Sequence, residues 1–224
     1  MFGLNNLLDL WEALVARLEA AGKVVPALAL RAIMFWEFWE SGVEKLKGEN
    51  WFADLPWAEW QIGFPYPFSA LPMDINWFAA TWGELIFAVM ILLGVFTRFA
   101  AFSLIVITVV ATAAVHFPVQ WDGLDQLWQG YVISADDFGN FKLPLLFVVM
   151  LLPLVFNGGG TFSVDHLLSR MLGRGDPLQP VGDLLAWSLA FVVLGVVFVF
   201  LIPMLGYALL ATALAGSLVH RFIV

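Results

Sequence analysis

The chain contains no cysteine, which excludes disulfides, thiolate catalysis, iron–sulfur ligation and cysteine-linked haem. A redox role would therefore rest on a borrowed cofactor. Charge is also scarce: Asp, Glu, Lys and Arg make up 12% of the 224 residues, where a soluble domain carries about a quarter. Cations are the rarer sign, 10 Lys and Arg against 18 Asp and Glu, giving a net charge of -8. That balance argues against nucleic acid as a partner, because its phosphates are bound mainly through Lys and Arg. Histidine is limited to His116, His166 and His220, none paired with another at helical spacing, so a metal site would draw its ligands from separate segments.

What the chain has is apolar surface, 62% hydrophobic residues with a mean hydropathy of +0.89. Its solvent is the lipid bilayer. Each spanning helix takes about 20 residues, so the length allows about five or six crossings in one membrane domain.

Residues 1–24 carry Asp9, Glu12 and Glu19 and no uninterrupted apolar run, so they read as part of the mature protein and not as a signal peptide. Leu4, Leu7, Leu8, Trp11, Leu14, Val15 and Leu18 recur along one helical face, which predicts an amphipathic helix lying on the membrane surface or against a neighbouring subunit. Residues 25–46 contain Arg31, Glu37, Glu40 and Glu44, each costing roughly 2.5–3.5 kcal/mol near the centre of a crossing helix. Topology favours a span all the same. Residues 77–96 and 99–117 are clear apolar spans joined by a short turn, and a fourth runs from 142 to 156. With Arg98, Arg170 and Arg174 on the cytoplasmic side, Arg17 and Lys23 join them only if 25–46 crosses. The N-terminus is then cytoplasmic, and the long, acidic, Trp-rich loops 47–76 and 118–141 face outward. Residues 184–219 are too long for one crossing and are broken near Pro203 and Gly206. A kinked fifth helix or a hairpin of helices five and six both satisfy that pattern, and only the hairpin returns Arg221 to the cytoplasm.

Glu37, Glu40, Ser41 and Glu44 fall within an arc of about 100° on a helix. Glu84 lies about 10 Å below the outer end of its own span, His116 closes the next, and Asn140 and Lys142, preceded by Asp136 and Asp137, open the fourth. Ionisable groups inside spanning segments face a bundle interior or a wet cavity and pair with one another. The expected site is a polar cavity in the outer half of a four-helix bundle. Glu37, Glu84 and His116 are its candidate catalytic groups. Trp36, Trp39, Glu44, Lys45, Trp82, Asn140 and Lys142 are its candidate binding groups, with Lys45 and Lys142 compensating the acids.

Three stretches, "LRAIMFWEFWESGVEKL", "WGELIFAVMILLGVFTRFAAFSLIVITVVATAAVHFP" and "NGGGTFSVDHLL", resemble the DoxX family of small membrane proteins over residues 27–172. The resemblance implies an all-α integral membrane fold, a four-helix bundle spanning 25–172, with family positions at Arg31, Lys45, Glu84, Arg98, His116 and Asn140. It leaves the helix at 1–24 and the apolar extension at 173–224 as additions, and Lys142 stands where an acid is common. It further implies a multi-pass protein of the bacterial inner membrane. Some relatives look like membrane subunits of thiosulfate:quinone oxidoreductases, others accompany oxidative-stress enzymes or machinery for metal-binding modified peptides.

Three functions follow as expectations. In the first, a quinone or similar small ligand occupies the polar cavity of a redox-system subunit, with acids and imidazole as proton donors. In the second, the protein is a non-catalytic anchor that holds a partner subunit or periplasmic protein through Trp51, Trp57, Trp60, Trp121 and Trp128 of the outer loops. In the third, Glu37, Glu84 and His116 hold a metal.

Overall fold

The computed structural model describes residues 4–52, 60–118, 120–134, 139–174 and 180–223. Among these residues the fold is all-helical, without strands. Helix α1 (Leu4–Gly22) precedes α2 (Val25–Lys47), which starts with Pro26 in its first turn, where the missing N–H costs nothing. Helix α3 (Met73–Leu93) ends at Gly94, whose φ of 69° is the left-handed conformation glycine supplies at a helix C-terminus. Helix α4 (Thr97–Ala111) continues into a π-helical turn at Thr112–His116. Two short helices, α5 (Leu124–Gln129) and α7 (Val164–Met171), flank α6 (Lys142–Asn157). The chain closes with α8 (Leu184–Leu201) and α9 (Pro203–Ile223).

Helices lie over the predicted spans with shifted ends, although α2, with Arg31, three glutamates and two lysines, is not among those apolar enough to count as a membrane crossing. The second span begins and ends a turn earlier than its apolar run, at Met73 and Leu93, because Gly94 stops the helix before "FTR". Helices α3, α4, α8 and α9 are long and apolar enough to cross a membrane; α6 is a shorter apolar helix.

The core lies where α2, α3, α4 and α6 meet. Met34, Ala88, Ile91, Ala100, Ala101, Leu104, Ile105 and Leu151 are completely buried there. Small residues let the backbones approach, the usual device between membrane helices, where lipid tails supply no hydrophobic drive. A Cβ on Gly42 would sit 2.8 Å from Leu85 Cγ, so α2 and α3 meet closely at that point. Phe38 of α2 meets Phe147 of α6 with ring centroids 5.8 Å apart.

The apolar tail is a hairpin. Gly195 faces Leu210, Gly206 abuts the backbone of Phe198 and Val199, Gly216 lies against Ser188, and His220 Nε2 stands 3.9 Å from Asp183. Those pairings run in opposite directions along the two helices. Pro203 and Gly206 therefore break the run into two antiparallel helices, and Arg221 returns to the end where α8 begins. Val197, Val199 and Phe200 join the common core, Phe200 also meeting Phe64 and Phe68 at 5.0 and 5.4 Å.

Along α1, Leu7, Leu8, Trp11, Leu14 and Leu18 are all exposed, so the face predicted from their spacing is uncovered by the rest of the described chain.

Candidate functional site

Helices α2 and α4 run toward one end of the bundle and α3 and α6 away from it. Lys45, Glu84, His116, Asn140 and Lys142 accordingly belong to that end, which we call the outer end. Arg31, Gly94, Arg98, Gly159 and Asp165 belong to the opposite one. The two ends are built differently.

At the outer end, Lys45 Nζ lies 2.9 Å from Glu84 Oε2 and 3.1 Å from Oε1, and donates to Ser41 Oγ at 2.7 Å. The side chains of Lys45 and Glu84 are 17% and 7% exposed. The i, i+4 spacing of Ser41 and Lys45 brings both to the α3 face of α2, and Gly42 between them leaves room for Glu84. Lys45 also lines an open pocket of about 330 Å³ with Asn50, Asp74, Trp77, Thr81 and Trp82. Asn50 donates to Asp74 at 2.8 Å, holding the chain after α2 against the first turn of α3.

His116 Nδ1 and Asn140 Oδ1 make a separate pair at 2.5 Å. Thr108 and Thr112 hydroxyls donate to the carbonyls of Leu104 and Thr108, the backbone loosens into the π turn, and His116 is carried round to meet the start of α6. Gly83 packs on Ile107, so His116, nine residues further along α4, sits roughly 13 Å beyond the level of Glu84. The single polar cavity expected from the sequence is thus two pairs at different depths.

Other expected members lie apart from both. Glu37 is half-buried and has no hydrogen bond or ion pair among the described residues, while Glu40 and Glu44 are exposed. Trp36 and Trp39 are 61% and 39% exposed on outward faces of α2 and do not roof the acids. Every face of α2 carries apolar side chains, so periodicity did not distinguish its lipid side from its bundle side. Lys142, expected to pair with Glu84 or Glu37, stands 5.2 Å over the Tyr131 ring, a cation–π contact. The metal arrangement is also corrected: among the described residues no three or more His, Asp or Glu side chains approach closely enough to hold an ion. Trp57, Asp136 and Asp137 lie outside the described residues, as does the side chain of Trp60.

The inner end is a backbone lock that the sequence reading missed. Arg31, 4% exposed, donates to the carbonyls of Ile91, Leu92, Gly159 and Phe162 at 2.9, 2.5, 3.0 and 2.6 Å. One planar guanidinium satisfies the C-terminus of α3 and the glycine-rich connection after α6 together. These acceptors offset the cost of burying its charge. Close approach demands glycine here: a Cβ on Gly94 would fall 2.5 Å from Ser163 Cβ and 2.9 Å from Arg31 Nη2. Asp165 accepts from Phe96 N, Thr97 N and Thr97 Oγ1 at 2.7–2.8 Å, capping α4 from a distant segment. Arg98 donates to the carbonyls of Val155 and Phe156 at the end of α6.

The DoxX family model matches residues 27–117, which contain α2, α3, α4 and the π turn. A protein of Haemophilus influenzae, described as uncharacterized, is 39% identical over 155 residues, 69% of this chain and 91% of the relative. The chain belongs to the DoxX family. No solved structure matches it. The matched region of this DoxX protein holds Arg31, Lys45, Glu84, Arg98 and His116, so it includes the buried ion pair and the arginine lock. Asn140 and the α8–α9 hairpin fall outside it. DoxX membership and four apolar helices make it a multi-pass membrane protein.

Proposed function

We propose that this DoxX protein is the membrane subunit of a redox system and takes a quinone, or a similar small carbonyl-bearing ligand, against Lys45 in the outer pocket. The observation that carries the reading is the buried Lys45–Glu84 pair set beside an open pocket flanked by Trp77 and Trp82. An ion pair taken out of water costs desolvation that its attraction barely repays, and packed apolar residues often serve stability as well. A pair retained beside a cavity therefore points to chemistry. Lys45 spends its N–H groups on Ser41 and Glu84. A ligand carbonyl replacing the neutral Ser41 hydroxyl would gain a charge-assisted hydrogen bond, with Glu84 behind it as proton source or sink. The aromatic side chains offer an apolar slot for a ring. Electrons would come from a partner subunit, which supports placing this chain inside a larger assembly.

Lys23, Arg98, Arg170, Arg174 and Arg221 share the inner end, which supports a cytoplasmic position for it, a bacterial inner-membrane location and an extracytoplasmic opening for the pocket. On this reading α2 and α6 cross as well, and α1 lies at the cytoplasmic interface with its uncovered leucines in lipid. A second reading, attachment of a partner through the outer loops, is favoured by Leu124 and Trp128, exposed at 76% and 60% on the short helix α5.

Titration of purified protein in nanodiscs with a short-chain quinone tests the proposal. Saturable binding that falls about tenfold or more in Glu84→Gln and Lys45→Met is the expected result. Equal binding by wild type and both variants would refute it.

A further inference from the structure

A second cavity, larger than the outer pocket, lies at the other end of the molecule, where the proposed quinone chemistry makes no use of it. It encloses about 1330 Å³ between the α1–α2 junction, the start of α4, the glycine-rich connection after α6, and α7. Its lining is amphiphilic. Leu30, Phe96, Phe99 and Phe156 contribute apolar surface, while Lys23, Arg98 and Arg170 bring positive charge from three different segments.

Among the described lining residues Asp165 is the only carboxylate, and it is fully engaged in capping α4. Lys23 and Arg170 are exposed and form no hydrogen bond or ion pair among the described residues. Arg98 uses one terminal nitrogen on the α6 carbonyls, and its others make no hydrogen bond among the described residues.

We propose that this cavity binds a phosphate-bearing anion, with Lys23, Arg98 and Arg170 on the phosphate oxygens. Basic pockets between membrane helices take lipid headgroups by this chemistry, and the phenylalanines are placed to meet acyl chains. The phosphate could belong to an anionic lipid or be free in solution. The site is independent of the quinone reading and is tested without it.

The experiment uses the full chain in detergent, with native mass spectrometry reading retention of phosphatidylglycerol against phosphatidylcholine, and inorganic phosphate as competitor. The variant is Lys23→Ala/Arg170→Ala, whose side chains support nothing else in the described structure; Arg98 is left intact because it holds α6. Phosphatidylglycerol should be retained in preference to phosphatidylcholine, and the double variant should lose roughly tenfold to thirtyfold in affinity at an unchanged melting temperature. Displacement by millimolar phosphate would assign a site for the phosphate alone, and resistance to it a lipid site; both uphold the shared chemistry. Equal retention of the two lipids, or a double variant that binds as wild type does, would overturn the proposal.

Discussion

The two ends of the bundle solve the same problem in opposite ways. Each buries a cation of α2 among membrane helices. At the inner end Arg31 is surrounded by four backbone carbonyls, and neighbouring glycines are shaped around it. At the outer end Lys45 meets one carboxylate and one hydroxyl and borders an open pocket. A guanidinium locked on main-chain oxygens has no partner to exchange, because an unpaired buried carbonyl is costly. An ammonium held by side chains can trade a neutral acceptor for a ligand oxygen. Under the proposed function the inner end is structural and the outer end chemical, and substitutions separate the two.

The largest loss of stability is expected from Arg31→Met, which orphans carbonyls of α3 and of the glycine-rich connection and should cost about 3–5 kcal/mol. Thermal unfolding in detergent measures it, and Arg31→Lys should rescue only part, since a point charge cannot span acceptors from two segments. Glu84→Ala comes next: it strands Lys45 in a mostly buried position and should cost about 3 kcal/mol. The paired change Lys45→Met/Glu84→Leu should regain much of that loss, while Arg31 has no such compensating partner. Asp165→Ala removes the cap of α4 and should lower stability by about 1–2 kcal/mol, read from the same melting curves. Glu37→Gln marks the small end of the scale. With no partner to lose among the described residues, it should shift stability by less than about 0.5 kcal/mol, and a larger destabilisation would show that Glu37 belongs to the polar cluster after all.

The sequence made the helices legible because lipid imposes a long apolar run on every crossing, and Pro203 and Gly206 marked where the last run turns back. It also put Lys45 and Glu84 in one leaflet, since depth along a helix follows from counting residues. Their mutual contact, and the separation of His116 from Glu84, were not legible, because they depend on helix rotation and on the π turn at Thr112–His116. Arg31 registered as a cost and as a position the family resemblance implies, without a role. Its carbonyl partners come from two distant stretches of the chain, and backbone acceptors carry no residue-type signature. Trp36 and Trp39 misled for a related reason: when all faces of a helix are apolar, aromatic bulk does not say which face is inside.

The most direct test of the contrast is short-chain quinone binding to the Lys45→Met/Glu84→Leu protein, compared with wild type and with Asp165→Ala. A catalytic outer end predicts that the paired variant melts close to wild type yet loses quinone affinity by about tenfold or more, whereas Asp165→Ala melts lower and binds normally. Unchanged affinity in the paired variant would contradict the account and leave the ion pair as a second structural clamp.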